Sequence, residues 1–598
     1  MSQPPLLARI GAAITTTRRF VTNALFVIIS IIILMAILSS LASPTVPRGA
    51  ALVIDPAGYI VEERSLTDPL SALLLPGGVA AEATLRDIVR AIRSAVDDDG
   101  ISMLVFDFNE LLALSAVQAV EIGRAVDAFR ATGREAIVYG YTYSQSVYLA
   151  ASYADAVYMH PAGQLLLPGY GTSQPYLGEM FDKLKVKMHV FRAGEFKDAV
   201  EPFTASEMSD ASREANQQLV DALWHHFSQK ISENRVLEPE RLRHYTHKLD
   251  DVLGATGGDL ARAALEYGLV DELLTADQMN ARVRETTGSA PYAPYLGIDY
   301  RSYLATLPGT ARPADNVGLV VVDGPILMND VNGTASADTI TALIRQGRED
   351  PSIDAIVLRV DSPGGGSFAS ELIRQELELT QLAGKPVVAS FAGVAASGGY
   401  WIASTSDRIV TEPVSITGSI GVFIMAPTFE DALANLGVHS DGVRTSPLTG
   451  GIDPMGGLSA PISRILQASV NSSYDQFVTL VARGRDMAVA EVDEVAQGRI
   501  WTGRQALDHG LADKLGGLNT ALAEAAQLAD ISNYGVKVLS TPSTARDLLL
   551  QELLALSPAP RTRRNPLVLH LERLWREAAS FDDPRHTYAI CAYCPQTD

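Results

Sequence analysis

The chain repeats itself, and that limits its fold more than any other feature. Gly133–Gly163 (GREAIVYGYTYSQSVYLAASYADAVYMHPAG) aligns with Gly384–Ser415 (GKPVVASFAGVAASGGYWIASTSDRIVTEPVS) after a one-residue gap. Tyr148 then pairs with Tyr400, Asp155 with Asp407 and Pro161 with Pro413. Further on, Ala263–Leu273 (AALEYGLVDEL) matches Gln505–Leu515 (QALDHGLADKL). A period of about 240–250 residues is far longer than a solenoid repeat, so two copies of one whole domain are expected.

Each copy has the same rhythm. In the second, Val317–Val322, Ala355–Val360 and Pro386–Phe391 read as apolar strands, with another near Ile409. Helical spacing falls at Thr339–Gly347, Ala369–Leu382 and from Ser397. In the first, strands at Ala51–Ile54, Met103–Phe108 and Ala136–Tyr141 alternate with helices at Leu85–Val96 and Ser115–Ala131. Continuous apolar strands alternating with amphipathic helices predict a layered α/β fold whose sheets are covered by helices. A long helix is expected in each copy, near Ser209–Ile231 and Ser459–Ala482, to pack halves or subunits together.

Outside the repeat, Phe20 to Val46 carries no charge and contains FVIISIIILMAIL, long enough for the ~30 Å core of a bilayer. Arg9, Arg18 and Arg19 precede it, only Arg48 follows closely, and the first acidic residue is Asp55. That bias predicts a single-pass anchor with a cytoplasmic N-terminus and an exported body. Ser40-Leu41-Ala42 resembles a processing site, but the apolar run is too long for a signal peptide. The chain has 48 basic and 69 acidic residues, a net charge of −21, which excludes nucleic acid as a natural partner. The expected organisation is 1–19 cytoplasmic, 20–46 anchor, 47–305 and 306–540 the two domains, and 541–598 an extension. In that extension SPAPRTRRNP (Ser557–Pro566) reads as a linker and Leu567, Leu571 and Leu574 as a docking helix. Cys591 and Cys594 have the spacing of a redox or metal pair, without the second pair that a zinc site needs.

Candidate chemistry falls on two glycine-rich segments and one lysine. Asp361-Ser-Pro-Gly-Gly-Gly366 follows a strand, where backbone N–H groups can point into a cavity. It lacks the Gly-Lys-Ser/Thr ending of a phosphate loop. Ala395-Ala-Ser397-Gly-Gly-Tyr400 places a serine at a helix start, with the Gly398 N–H placed to stabilise an oxyanion. The usual reading of such a serine is a helix cap. No histidine forms an evident partner. Lys197, in Phe191-Arg-Ala-Gly-Glu-Phe-Lys-Asp-Ala-Val-Glu-Pro-Phe203, would ordinarily be a solvated surface lysine. The repeat changes that. Ser397 falls opposite Gln145 and Lys197 near Leu448, so one copy keeps a nucleophile and the other a base.

With these residues in place the chain resembles the long, duplicated form of the signal peptide peptidase A (protease IV) family, from about Phe20 to about Ser540. The motifs that carry the resemblance are FRAGEFKDAVEPF, DSPGGG, VAASGGYWIA and ITGSIGVF. It implies tandem crotonase/Clp-protease-like β/α spiral domains and a membrane-anchored Ser–Lys peptidase. Ser397 matches the nucleophile, Lys197 the general base and Ser419 the serine that orients the lysine. Gly365 and Gly398 match the oxyanion donors. The implied substrates are signal peptides already released from their proteins, and other extended apolar segments. The implied assembly is a homotetramer on the periplasmic side of the bacterial inner membrane, and no cofactor or metal is required.

The chemistry sets its own condition. A lysine at pKa ~10.4 must be brought down by roughly three, about 4 kcal/mol, which desolvation between domains can supply. Glu195 and Asp198 must therefore face away from the amine. The rival readings are a crotonase-type enzyme for acyl-thioesters, which needs coenzyme A outside the cytoplasm, and a silent membrane scaffold.

Overall fold

The computed structural model describes residues 45–64, 81–290, 293–307, 315–331, 333–541, 583–591 and 594, with 18–20, 22–24, 26–27 and 30 ahead of them. Most of the expected anchor and the expected linker and docking helix lie outside the described residues. Among the described residues no helix is long and apolar enough to cross a membrane.

The first half builds a parallel sheet from β1 (Ala50–Ile54), β2 (Ile101–Asp107), β3 (Glu135–Tyr143) and β4 (Ala156–Leu165), edged by Gly297–Asp299 and Glu272–Leu273. Helices α1 (Ala116–Arg130) and α2 (Gln145–Ala151) follow β2 and β3, and α3 (Asp210–Arg235) is the long helix. One more strand, β5 (Lys187–Ala193), leaves this sheet altogether.

The second half repeats the plan with β6 (Asn316–Asp323), β7 (Ala355–Ser362), β8 (Gly364–Gly366), β9 (Val387–Ala396), β10 (Arg408–Thr411), β11 (Ile416–Gly418), β12 (Val422–Thr428) and β13 (Ile500–Thr502). Its helices include α4 (Ser367–Leu382), α5 (Gly398–Ala403) and the long α6 (Ala460–Arg485). The main sheet runs β13-β11-β9-β7-β6 to Gly535–Val538, parallel except where β13 meets β11. Every residue of β9 is buried, as a central strand covered on both faces requires. Each half has its own apolar core, around Leu104, Phe129 and Tyr148 in one and Leu358, Phe391 and Trp401 in the other.

The residues that betray the repeat are those that satisfy the same buried polar groups twice. Tyr148 donates its hydroxyl to the Leu269 carbonyl at 2.6 Å, and Tyr400 donates to Leu511 at 2.8 Å. Asp155 accepts from the Ala136 N–H at 2.9 Å, and Asp407 from the Val387 N–H at 2.8 Å. Asp271 accepts from Val157 at 2.7 Å, and Asp513 from Ile409 at 2.6 Å. Losing any partner would leave a buried group unpaired, so both copies hold these positions.

A third sheet joins the halves. Its order is Ala335–Ser336, Ile326–Leu327, β8, β14 (Tyr588–Ile590), β12 and β5. Here β5 of the first half runs antiparallel to β12 of the second, from Lys187↔Thr428 to Ala193↔Val422. The seam also holds a charged cluster. Arg359 on β7, fully buried, meets Glu62 at 2.9 and 3.1 Å and Glu121 at 2.7 Å, both from the first half. Its remaining nitrogen donates to Ser390 Oγ at 3.0 Å and to the Phe391 carbonyl at 3.3 Å.

Removing one side of such a cluster strands the other side's charge away from water. Arg359→Met is therefore expected to cost about 3–5 kcal/mol, seen as a fall in the thermal midpoint. Adding Glu62→Gln and Glu121→Gln should recover most of it.

Candidate active site

Ser397 lies where β9 turns into α5, at φ 57° and ψ −113°. That backbone is strained for a residue with a side chain, by about 1–3 kcal/mol. It is held by the Ser397 N–H bonding to the Gly418 carbonyl at 2.8 Å and the Trp401 N–H bonding to the Ser397 carbonyl at 2.8 Å. Ser419 follows β11 at φ 51°, pinned by its N–H to the Arg499 carbonyl at 2.7 Å. Asp361 stiffens the neighbouring turn by accepting the Val394 N–H at 2.9 Å. Burial pushes its carboxyl up to about 7.

Lys197 comes from the other half, just past the end of β5. Its loop is fixed by the Phe196 N–H to the Gln497 carbonyl at 2.8 Å. The Lys197 Nζ lies 2.7 Å from Ser397 Oγ, 2.9 Å from Ser419 Oγ and 3.1 Å from the Ser419 carbonyl. Only 1% of Lys197 is exposed, with none of Ser397 and 2% of Ser419. Burial lowers the amine's pKa to about 7, with the Asp198 charge pulling the other way. The Asp198 carboxylate is turned to the Ser212 hydroxyl and to Asn216 Nδ2 on α3, and burial raises it to about 6. Glu195 is exposed.

The structure thus brings together Ser397, Lys197 and Ser419, and it also brings Gly365 beside Gly398. A Cβ added to Gly398 would lie 3.0 Å from the Gly365 nitrogen. The opposite positions do not form a second site: Gln145 accepts the Gly169 N–H at 2.8 Å, and Leu448 is exposed. Among the described residues there is no cluster able to hold a metal. Cys591 and Cys594 are joined to each other as a disulfide.

Sequence reasoning missed what backs the lysine. Gly498, at φ +82°, packs so closely that a Cβ there would lie 2.5 Å from the Lys197 nitrogen. Arg499 then stacks on Phe196 at 4.7 Å and bonds Glu214 and Gln218 on α3 at 2.9 and 2.6 Å. The only signal was a glycine two residues before a short strand. A cavity of about 510 Å³ opens near this loop, lined by Val190, Arg192, Val200, Glu201 and Met208. Neither Ser397 nor Lys197 lines it.

A duplicated α/β chain that folds a strained, buried serine against a desolvated amine has the makings of a serine peptidase. The model of peptidase family S49 matches residues 128–289 and 380–532, one stretch in each half. Protease 4 of Salmonella typhi is 37% identical, over 96% of each chain. Protease 4 of Haemophilus influenzae is 33% identical over 94% of this chain and 95% of its own. The chloroplastic serine protease SPPA of Arabidopsis thaliana is 28% identical over 71% of this chain and 63% of its own. The chain belongs to peptidase family S49, in its long duplicated form.

Burying a protonatable amine costs stability, and the sign can be tested. The folded pKa lies below the unfolded value, so the penalty is full below about pH 7 and fades as pH rises toward the unfolded lysine's pKa. Lys197→Met is expected to raise the thermal midpoint at pH 7 by about 2 °C or more, and by less at pH 10. Gly498→Ala should lower it at both.

Proposed function

We propose that this peptidase is a membrane-anchored Ser–Lys enzyme, with Ser397 as nucleophile and Lys197 as general base. The observation that carries the reading is the 2.7 Å approach of the Lys197 amine to Ser397 Oγ inside a dry seam. A neutral amine has two protons and one lone pair. Ser419 Oγ and its carbonyl take the protons, which leaves the lone pair for the Ser397 hydroxyl. The serine oxygen then attacks a peptide carbonyl, and the amine passes the proton it has received to the departing nitrogen. Gly365 and Gly398 donate N–H groups to the oxyanion. Water later releases the acyl group through the same base. No step draws on a cofactor or metal.

The uncharged run Phe20–Val46 behind Arg9, Arg18 and Arg19 supports a single-pass anchor in the bacterial inner membrane, with the body periplasmic. Domains at 47–305 and 306–540, each a crotonase/Clp-type β/α spiral, and an extension at 541–598 fit that arrangement. Relatives named protease 4 and, in Enterococcus faecium, a putative signal peptide peptidase support released signal peptides and other extended apolar segments as substrates. A homotetramer is the assembly this reading carries.

A fluorophosphonate probe tests the dyad. Wild type should label, and Ser397→Ala and Lys197→Ala should not; an unlabelled wild type favours the scaffold. The pH dependence of kcat/KM should rise through about 7 as the amine loses its proton. Asp198 holds the amine's pKa up, so Asp198→Asn should move that rise to lower pH. A rise that stays fixed, or moves upward, contradicts the assignment of the base.

A further inference from the structure

The cavity of about 510 Å³ beside the lysine loop takes no part in the chemistry above, yet the same stretch of chain builds it. Every residue that lines it lies between Val190 and Asp210, and Lys197 belongs to that stretch. Its volume is that of a pocket for a side chain or small ligand.

Part of the lining is apolar. Val190 on β5 and Val200 join Phe423 and Met425 of β12 in one cluster, and Met208 also faces the cavity. Because β12 begins just past Ser419, the cavity opens close to the reacting groups.

Arg192 ties the cavity to the base. Its guanidinium donates to the Lys197 carbonyl at 3.4 Å and stands 3.7 Å from the Glu201 carboxylate. Glu201 is buried and also accepts the Ser209 N–H and hydroxyl, at 3.1 and 2.7 Å. Its own N–H returns to the Asp198 carbonyl at 2.9 Å. One wall of the cavity is thus the bracket that holds the loop of Lys197.

The rest of the charge has no counterpart. Arg192 answers Glu201 one for one. Glu207 and Asp210 stand exposed on the rim, and among the described residues neither is bonded to a cation. An apolar lining under an acidic rim suits a side chain with an aliphatic stem and a positive head.

Resting on the peptidase reading, we propose that this cavity is an exosite for a lysine or arginine side chain of the peptide substrate. The stem lies on Val190, Val200 and Met208, and the head meets Glu207 and Asp210. Signal peptides carry such residues ahead of their apolar core, so the exosite favours them over apolar segments without a basic end.

The test uses the full chain and two internally quenched peptides with one apolar core. One begins with two lysines, the other with two norleucines, which keep the stem and lose the charge. Wild type should favour the lysine peptide about fivefold in kcat/KM, through KM, as two exposed ion pairs allow. High salt should shrink that preference. Glu207→Gln with Asp210→Asn should bring the ratio close to one, and Glu207→Lys with Asp210→Asn should take it below one. Thr204→Trp, which fills the cavity from its exposed edge, should raise KM for the lysine peptide. Equal KM for the two peptides in wild type, with Ser397 still labelled by fluorophosphonate, overturns the proposal alone. So does a preference that survives both rim variants. No label and no cleavage in any variant, wild type included, sinks the peptidase reading and the proposal with it.

Discussion

The site depends on one ladder, the antiparallel pairing of Lys187–Ala193 with Val422–Thr428. It takes a strand that belongs by sequence to the first half and hydrogen-bonds it into the second. Lys197 is carried across with it, about 200 residues from Ser397 in sequence and one hydrogen bond away in space. Desolvation does the rest. The same amine on an isolated half would face water and stay protonated.

The seam between the halves handles charge in two opposite ways. Around Arg359, burial is made tolerable by pairing with Glu62 and Glu121. Around Lys197 no carboxylate is bonded to the amine, and burial is left to neutralise it. Asp198 is close enough to oppose this, yet its carboxylate is engaged by Ser212 and Asn216. The two buried basic groups are therefore shifted in opposite directions, Arg359 up and Lys197 down, according to whether a carboxylate bonds them.

Much of this was legible in the sequence. The layered α/β rhythm was, because buried strands such as the one expected at Pro386–Phe391 read as nearly continuous apolar runs. The repeat was, because Tyr148, Tyr400, Asp155 and Asp407 satisfy fixed buried partners. The pairing of Ser397 with Lys197 was readable from what each copy had lost. Four things were not. Nothing in KMHVFRA says that the strand will pair outside its own half. Gly498 looks like any turn glycine until Lys197 is found against it. The segment around Tyr588 is too short to announce a strand, and both strands it pairs with lie far earlier in the chain. Cys591 and Cys594 were visible as a pair, but not the disulfide between them.

The wide sequence separation of Lys197 and Ser397 has a consequence for biosynthesis. A ribosome delivers Lys197 long before Ser397, and later still Val422–Thr428, which holds the lysine's loop in place. Until that strand has emerged, the amine has no dry seam to enter and no hydroxyl to activate. On the proposed Ser–Lys reading, the dyad therefore comes into being only with the closing of the second lobe.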